Sequence, residues 1–374
     1  MLLRNDSMSE NGNNKIVTPS PRENNTLVGH EDAELDLANS FKTGRISHAL
    51  LIGGPRGIGK ATLAYRFARY VLSKRATDSD FVQTKNRDSP LALPPGDKVA
   101  ARVSSGAHAD LFILEKRINP RTGHSRGEIT VGEARQLHHF LSLTPAESEW
   151  RIAVVDAADE MNRNAANAVL KSLEEPPPRT VLMLVSHAPG RLLPTIRSRC
   201  QQITLRRLTV QKFNSVIESV YSNLTEADFT ILRQLSDGRP GLALSIMELG
   251  GIQIYEKLIR ILIKAPTIDF ESLHELADEL SRRGSEKQFN LAMELLLGWL
   301  SRFVISSAQK VSAPEIIEGE SATRERFLRA SRLDNWAELW ENIGNLSHRA
   351  EQIHLDRKQV VFSAYTAISD LVQP

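Results

Sequence analysis

The run best suited to chemistry is His48 to Thr62, HALLIGGPRGIGKAT. Gly54, Gly57 and Gly59 let backbone N–H groups close around phosphate oxygens at a helix N-terminus, and Lys60 brings a charge for the outer phosphates. The spacing matches a phosphate-binding loop, G-x-x-x-x-G-K-[ST], up to its last position. That position is Ala61. A Ser or Thr hydroxyl there would ligate the magnesium ion that bridges two phosphates. Thr62 is a poor replacement, because one further residue along a helix turns the side chain by about 100°. The loop has the shape of a nucleotide site without its magnesium ligand.

A second chemical position is Asp156, which closes the apolar run Arg151 to Asp156, RIAVVD. A carboxylate at a strand end can face a phosphate-loop cation, or it can simply cap the next turn. The following residue would have to be an acid to polarise an attacking water, and it is Ala157. Asp159 and Glu160 come later, and spacing alone does not decide whether they reach the same point. Ser186 and His187 follow another apolar run, at the strand edge where parallel sheets bind ligands. A lone histidine there is more often structural. One cysteine, Cys200, excludes an internal disulfide and any multi-cysteine zinc site. A single thiol fits a reducing cytoplasm.

The elements that must position these residues follow from periodicity. Short apolar runs near 50, 112, 153, 183 and 203 read as strands, with helical spacing between them, which describes an α/β parallel sheet. Leu63, Phe67, Ala68 and Val71 recur at helical spacing after the glycine loop. A short amphipathic helix precedes it around Glu34 to Phe41. Thr130 and Glu133 have capping-box spacing ahead of a helix over 129–143. A further helix over 161–175 stops at Pro176. Residues 1–25 read as a disordered tail. The stretch of about 75–108 reads as an irregular, mobile insert, and 119–126 as a turn. From Arg206 onward helices are predicted over 210–222, 225–236, 240–249, 252–264, 270–282, 285–308, 321–330, 334–350 and 356–372. Trp336 and Trp340 are four apart, so they share a helix face suited to packing.

With 374 residues, more than one domain is expected. Hydrophobic residues make up 41% and charged ones 25%, which supports a real core in a soluble protein. The 47 basic and 45 acidic residues leave a net charge of +2, too balanced to imply nucleic-acid binding as a whole. No basic stripe with interleaved aromatics stands out. No signal-peptide pattern and no apolar run near the ~20 residues of a membrane span are present.

Taken together, LVGH at 27–30, the glycine loop, RIAVVDAADEMNRNAANAVLKSLEEPP at 151–177 and LLPTIRSRC at 192–200 resemble the clamp-loader branch of the AAA+ superfamily. More narrowly they resemble its bacterial delta-prime type. The resemblance covers about residues 26–250. It implies an α/β AAA+ P-loop domain over 26–205, a small helical lid over 206–250 and an all-α collar for oligomerisation over 251–374. It implies that Arg199 of the Ser198-Arg199-Cys200 motif is an arginine finger acting in trans. A planar guanidinium holds phosphate oxygens through paired hydrogen bonds and never loses its charge. Spacing alone would favour an ion pair of Arg199 within its own domain. The resemblance also puts Gly241 of Gly238-Arg239-Pro240-Gly241 where a sensor arginine would contact ATP. Gly54, Gly57, Gly59, Lys60 and Asp156 would then line a degenerate site, with ATP and magnesium bound by a neighbouring subunit. No metal is expected, since the four cysteines of many relatives are missing from the insert.

The implied role is a non-hydrolysing, stator-like subunit that helps load the sliding clamp onto primed DNA during replication. Its implied partners are gamma/tau and delta subunits, with no membrane, in the cytoplasm. Any DNA polymerase activity would belong to the holoenzyme alone. The rival reading is an active AAA+ ATPase of gamma-motor or replication-repair type, which would have to tolerate Ala61 and Ala157.

Overall fold

The computed structural model describes residues 18–73, 89–116, 127–353 and 355–373. The expected tail over 1–17, the first half of the insert and the turn at 119–126 lie outside them. Contacts divide the chain into two compact units. One runs through Val220 and takes in Gly238–Gly241; the other holds Tyr221–Asp237 and the chain from Leu242 onward.

The first unit is built on five parallel strands: β1 (Ala49–Gly53), β2 (Leu111–Glu115), β3 (Arg151–Asp156), β4 (Thr180–Ser186) and β5 (Gln201–Thr204). Their order is β2-β3-β4-β1-β5. Residues Ala49, Leu51, Ala153, Val155, Leu182 and Leu184 point to one face, and Leu50, Ile52, Ile152, Val154, Val181 and Met183 to the other. Both faces must be covered, so the strands read as continuous apolar runs. Helices α1 (Glu31–Lys42), α2 (Lys60–Leu72) and α3 (Lys98–Ser104) cover one face, with Leu37, Phe67 and Val103 inside. Helices α4 (Val131–Ser142) and α5 (Arg163–Glu174), with the single turn α6 (Pro194–Arg197), cover the other with Leu137, Val169 and Ile196. The predicted capping box of α4 is formed, with Thr130 N donating to Glu133 at 2.8 Å. Helix α7 (Val210–Glu218) completes the unit and is tied to α1 by Lys212 and Glu31 at 2.6 Å.

Two expectations fail here. The second half of the insert is not irregular: α3 forms there, because Asp97 accepts from the N–H groups of Val99 and Ala100. Residues 20–25 are not tail-like either. Glu23 N donates to Ser20 O, and buried Arg69 donates to Asn24 O at 3.0 Å and Asn25 Oδ1 at 2.7 Å.

The second unit is helical: α8 (Glu226–Ser236), α9 (Pro240–Glu248, whose first residues belong to the first unit), α10 (Gly251–Ile263), α11 (Phe270–Ser281), α12 (Glu286–Gln309), α13 (Glu320–Ala330), α14 (Leu333–Ile353) and α15 (Arg357–Val372). Each lies within a few residues of its predicted span. By length and apolarity α12 could cross a membrane, but Phe289, Leu296, Trp299 and Phe303 are buried inside the unit. Trp299, Phe303, Phe327 and Trp336 form one aromatic cluster, with Phe327 and Trp336 stacked at 4.7 Å. Trp336 is fully buried, whereas Trp340 is 42% exposed, so the pair does not share one packed face. Trp340 instead uses Nε1 to reach Leu297 O at 3.0 Å. Buried Glu320 accepts from Tyr255 Oη at 3.0 Å, Trp299 Nε1 at 3.2 Å and Arg324 at 2.5 Å, and so joins three helices.

In the first unit Asp110 has a comparable task just before β2. Its carboxylate is fully buried and accepts from the N–H groups of Ala146, Glu147 and Ser148 at 2.6 to 2.8 Å. Burial pushes its pKa up, but those three N–H groups and Arg151 outweigh it and hold the carboxyl below the ordinary value. The native state therefore gains stability above the ordinary carboxylate pKa and loses it as pH falls below that value. Asp110→Asn is expected to lower the unfolding free energy by about 2–4 kcal/mol near neutral pH and by much less near pH 3. Urea denaturation at both pH values checks it; an equal loss at both would contradict this account.

Candidate functional site

The glycine loop lies where β1 gives way to α2, at the C-terminal edge of the sheet. Gly54 takes φ +145°, and a Cβ there would sit 2.5 Å from Leu205 O, so the chain next to β5 leaves room only for hydrogen. Gly59 caps α2 at φ +103°. The loop has props behind it. His30 Nε2 pairs with Ile58 O at 2.9 Å, and Leu27 closes on Gly59 so tightly that a Cβ would come within 2.7 Å. Burial lowers the His30 pKa, which favours the neutral ring. The LVGH segment is thus a buttress for the loop, a role that its distance in sequence hides.

Lys60 is buried, and its Nζ donates to Gly54 O at 2.7 Å and Pro55 O at 2.6 Å. Burial lowers its pKa to about 8; Asp159 and Asp156 oppose that, while Arg56 and Arg239 add to it. Asp159 is thus close enough to act on the loop lysine, a placement that spacing alone could not decide. It is fixed there by the N–H of His187 at 2.9 Å. Burial brings His187 down to about 4, with Lys60 pushing the same way. The ring is neutral, and its buried Nδ1 has no hydrogen-bond partner among the described residues.

Asp156 ends β3 on the α2 face of the sheet, in register with Glu115 on β2. Burial raises its pKa to about 6, Glu115 and Glu160 add to the rise, and Lys60 and Arg56 offset part of it. Lys116 pairs with Glu160 at 3.1 Å. Thr62 is buried, and the Ala61 and Ala157 methyl groups offer no oxygen.

The Gly238–Gly241 turn reaches the same loop. Gly241 N donates to Gly57 O at 2.8 Å. A Cβ at Gly241 would lie 2.8 Å from Gly57 O and 2.9 Å from Gly57 Cα. Two backbones touch here, so an arginine cannot stand at Gly241 without moving one of them. The hydroxyl that would ligate magnesium is absent at Ala61, the Lys60 ammonium is bonded to its own loop, and Gly241 lies against Gly57.

Ser198 and Arg199 lie apart from this loop, after α6. Ser198 Oγ donates to Thr195 O at 3.2 Å, and Arg199 Nη1 donates to the same carbonyl at 3.1 Å. Arg199 Nη2 lies 2.9 Å from Glu174 Oε1, the own-domain ion pair that spacing alone favoured. Cys200 is buried, and burial raises its thiol to about 11.

A parallel α/β sheet carrying this loop between β1 and α2 defines a P-loop type α/β fold. Residues 29–209 match the family described as "DNA polymerase III, delta subunit". The chain is 39% identical over 157 residues to DNA polymerase III subunit delta' of Pseudomonas aeruginosa, 42% of each chain. It is 32% identical over 172 residues to the subunit of the same name in Bacillus subtilis, 46% of each chain. Over that matched region the chain is similar to DNA polymerase III subunits of the delta-prime type. The matches span less than half the length of those relatives. Among solved structures, a DNA polymerase III gamma subunit-related protein from Thermotoga maritima aligns over 90% of this chain and 99% of its own, at 17% identity and a TM-score of 0.41.

The cost of keeping Asp156 can be measured. Its folded carboxyl ionises near pH 6 rather than 3.8. A raised carboxyl pKa means that stability falls as pH climbs from about 4 to about 6 and stays lower above. At 1.36 kcal/mol per pH unit the penalty is about 1–3 kcal/mol. Asp156→Asn is expected to stabilise the fold by that amount at about pH 7.5 and to change little at about pH 3.5. Urea titrations at both pH values test it, and a destabilised variant at pH 7.5 would contradict it.

Proposed function

We propose that this chain is a non-hydrolysing, stator-like subunit of a DNA polymerase III clamp loader, working in the cytoplasm. It takes no nucleotide of its own and lends Arg199 in trans to an ATP held by a neighbouring gamma/tau-type subunit. Together with a delta-type subunit the assembly places the sliding clamp on primed DNA. Polymerase activity belongs to the holoenzyme and not to this chain.

The observation that carries this reading is the closed phosphate loop. Lys60 donates to Gly54 and Pro55, and Gly241 is pressed on Gly57, with methyl groups at 61 and 157. A pocket with nothing to bind differentially cannot drive its own domain through a cycle, which suits a fixed element against which others move. Arg199 supports the second half. Its guanidinium is 36% exposed on a short turn, next to a residue anchored in the core.

The purified chain with magnesium and ATP is expected to show no turnover. Turnover abolished by Lys60→Ala would overturn the stator reading in favour of an active ATPase. In a complex reconstituted with gamma/tau and delta subunits, Arg199→Ala should leave assembly intact. It should lower ATP turnover at the site it serves by about tenfold or more, within what an arginine finger supplies. Unchanged DNA-stimulated turnover would refute the finger.

A further inference from the structure

Helix α5 ends in an acid that is out of place on local grounds. Glu174 is its last residue, at the end where unpaired carbonyls already concentrate negative charge and a cation is favoured. The compensation comes from Arg199, whose Nη2 lies 2.9 Å from Glu174 Oε1. The guanidinium is thereby engaged twice by its own domain, through Glu174 and through Thr195 O at 3.1 Å. A carboxylate presents oxygens to arginine much as a phosphate does, so the two compete for the same N–H groups. The carboxylate also repels a phosphate that approaches.

The bond is built to be exchanged. Arg199 and Glu174 are 36% and 50% exposed, whereas the Arg66–Glu34 pair of this same unit is 2% and 0% exposed at 2.5 Å. A buried pair cannot lose one partner cheaply, but an exposed one is worth little and is screened by water. We propose that Glu174 is a placeholder for the neighbouring subunit's phosphate: it parks Arg199 on its own domain and must be displaced when the neighbour binds ATP. This rests on the arginine-finger reading above. Glu174 is then a positioning residue that sets the ATP concentration at which the arginine engages, without touching the nucleotide.

The test uses the full chain in the reconstituted loader, with ATP as the titrant. Glu174→Gln keeps the side-chain shape and removes the charge. It is expected to lower the half-saturating ATP concentration about two- to fivefold, the range an exposed ion pair can supply (about 0.4–1 kcal/mol), with turnover at saturating ATP within about twofold. Glu174→Ala should shift it the same way. Glu174→Gln combined with Arg199→Ala should behave as Arg199→Ala alone, because the acid acts only through the arginine. A half-saturating concentration that is unchanged or higher in both Glu174 variants, with Arg199→Ala still impairing turnover, would overturn the placeholder and leave the finger standing. If Arg199→Ala changes nothing, both fall.

Discussion

The centre of the first unit is an ammonium group held by its own backbone. Lys60 Nζ sits between the carbonyls of Gly54 and Pro55, out of water, with Asp159 and Asp156 nearby. A buried charge is tolerated only when it is well paired, and this one draws its partners from several directions. Asp159 is set by the His187 backbone after β4, Asp156 by the end of β3, and the carbonyls by the turn after β1. The edge of the sheet is therefore ordered as one electrostatic cluster. The neutral His187 and the reluctant Asp156 are two sides of the same constraint. A positive charge nearby discourages a second one on the ring, and crowding by Glu115 and Glu160 discourages a third negative one.

The loop's shape depends equally on the chain packed behind and above it. His30 and Leu27 close one side, Leu205 O another, and Gly241 meets Gly57 backbone to backbone. Three of these contacts rest on glycines that leave no space for a side chain. The same glycines that make a phosphate loop possible also let neighbouring segments lie directly on it.

Much of this was legible in the sequence, and the reason is locality. The strands are continuous apolar runs because both faces of the sheet are covered, and each predicted strand centre lies inside an observed strand. The helices after Arg206 have long amphipathic periods, so their spans were readable within a few residues. Helix α3 was missed because it is seven residues long with Val103 as its one buried side chain, too little for a period. The order of residues 20–25 was missed because it depends on Arg69, more than forty positions away. In the site, the loop glycines, Lys60 and Asp156 were found by type and spacing. His30, Asp159 and the Gly241–Gly57 contact were not, since each is a matter of what the fold brings together. The only signals available were the LVGH run ahead of the loop and the odd glycine at 241. Trp340 shows the limit of helical spacing: four residues from Trp336 on the same helix, it ends half in solvent.

Cys200 has a practical consequence for anyone handling this protein. It is the sole sulfhydryl of the chain, it is enclosed in the core on the α4 and α5 side of the sheet, just ahead of β5, and its proton is held to about pH 11. Alkylating dyes and maleimide spin labels attack the deprotonated sulfur, which is scarce at neutral pH. The natural polypeptide thus serves as its own blank for site-directed spectroscopy. A sulfur introduced at a chosen surface position would carry the probe alone, with no native group to remove first.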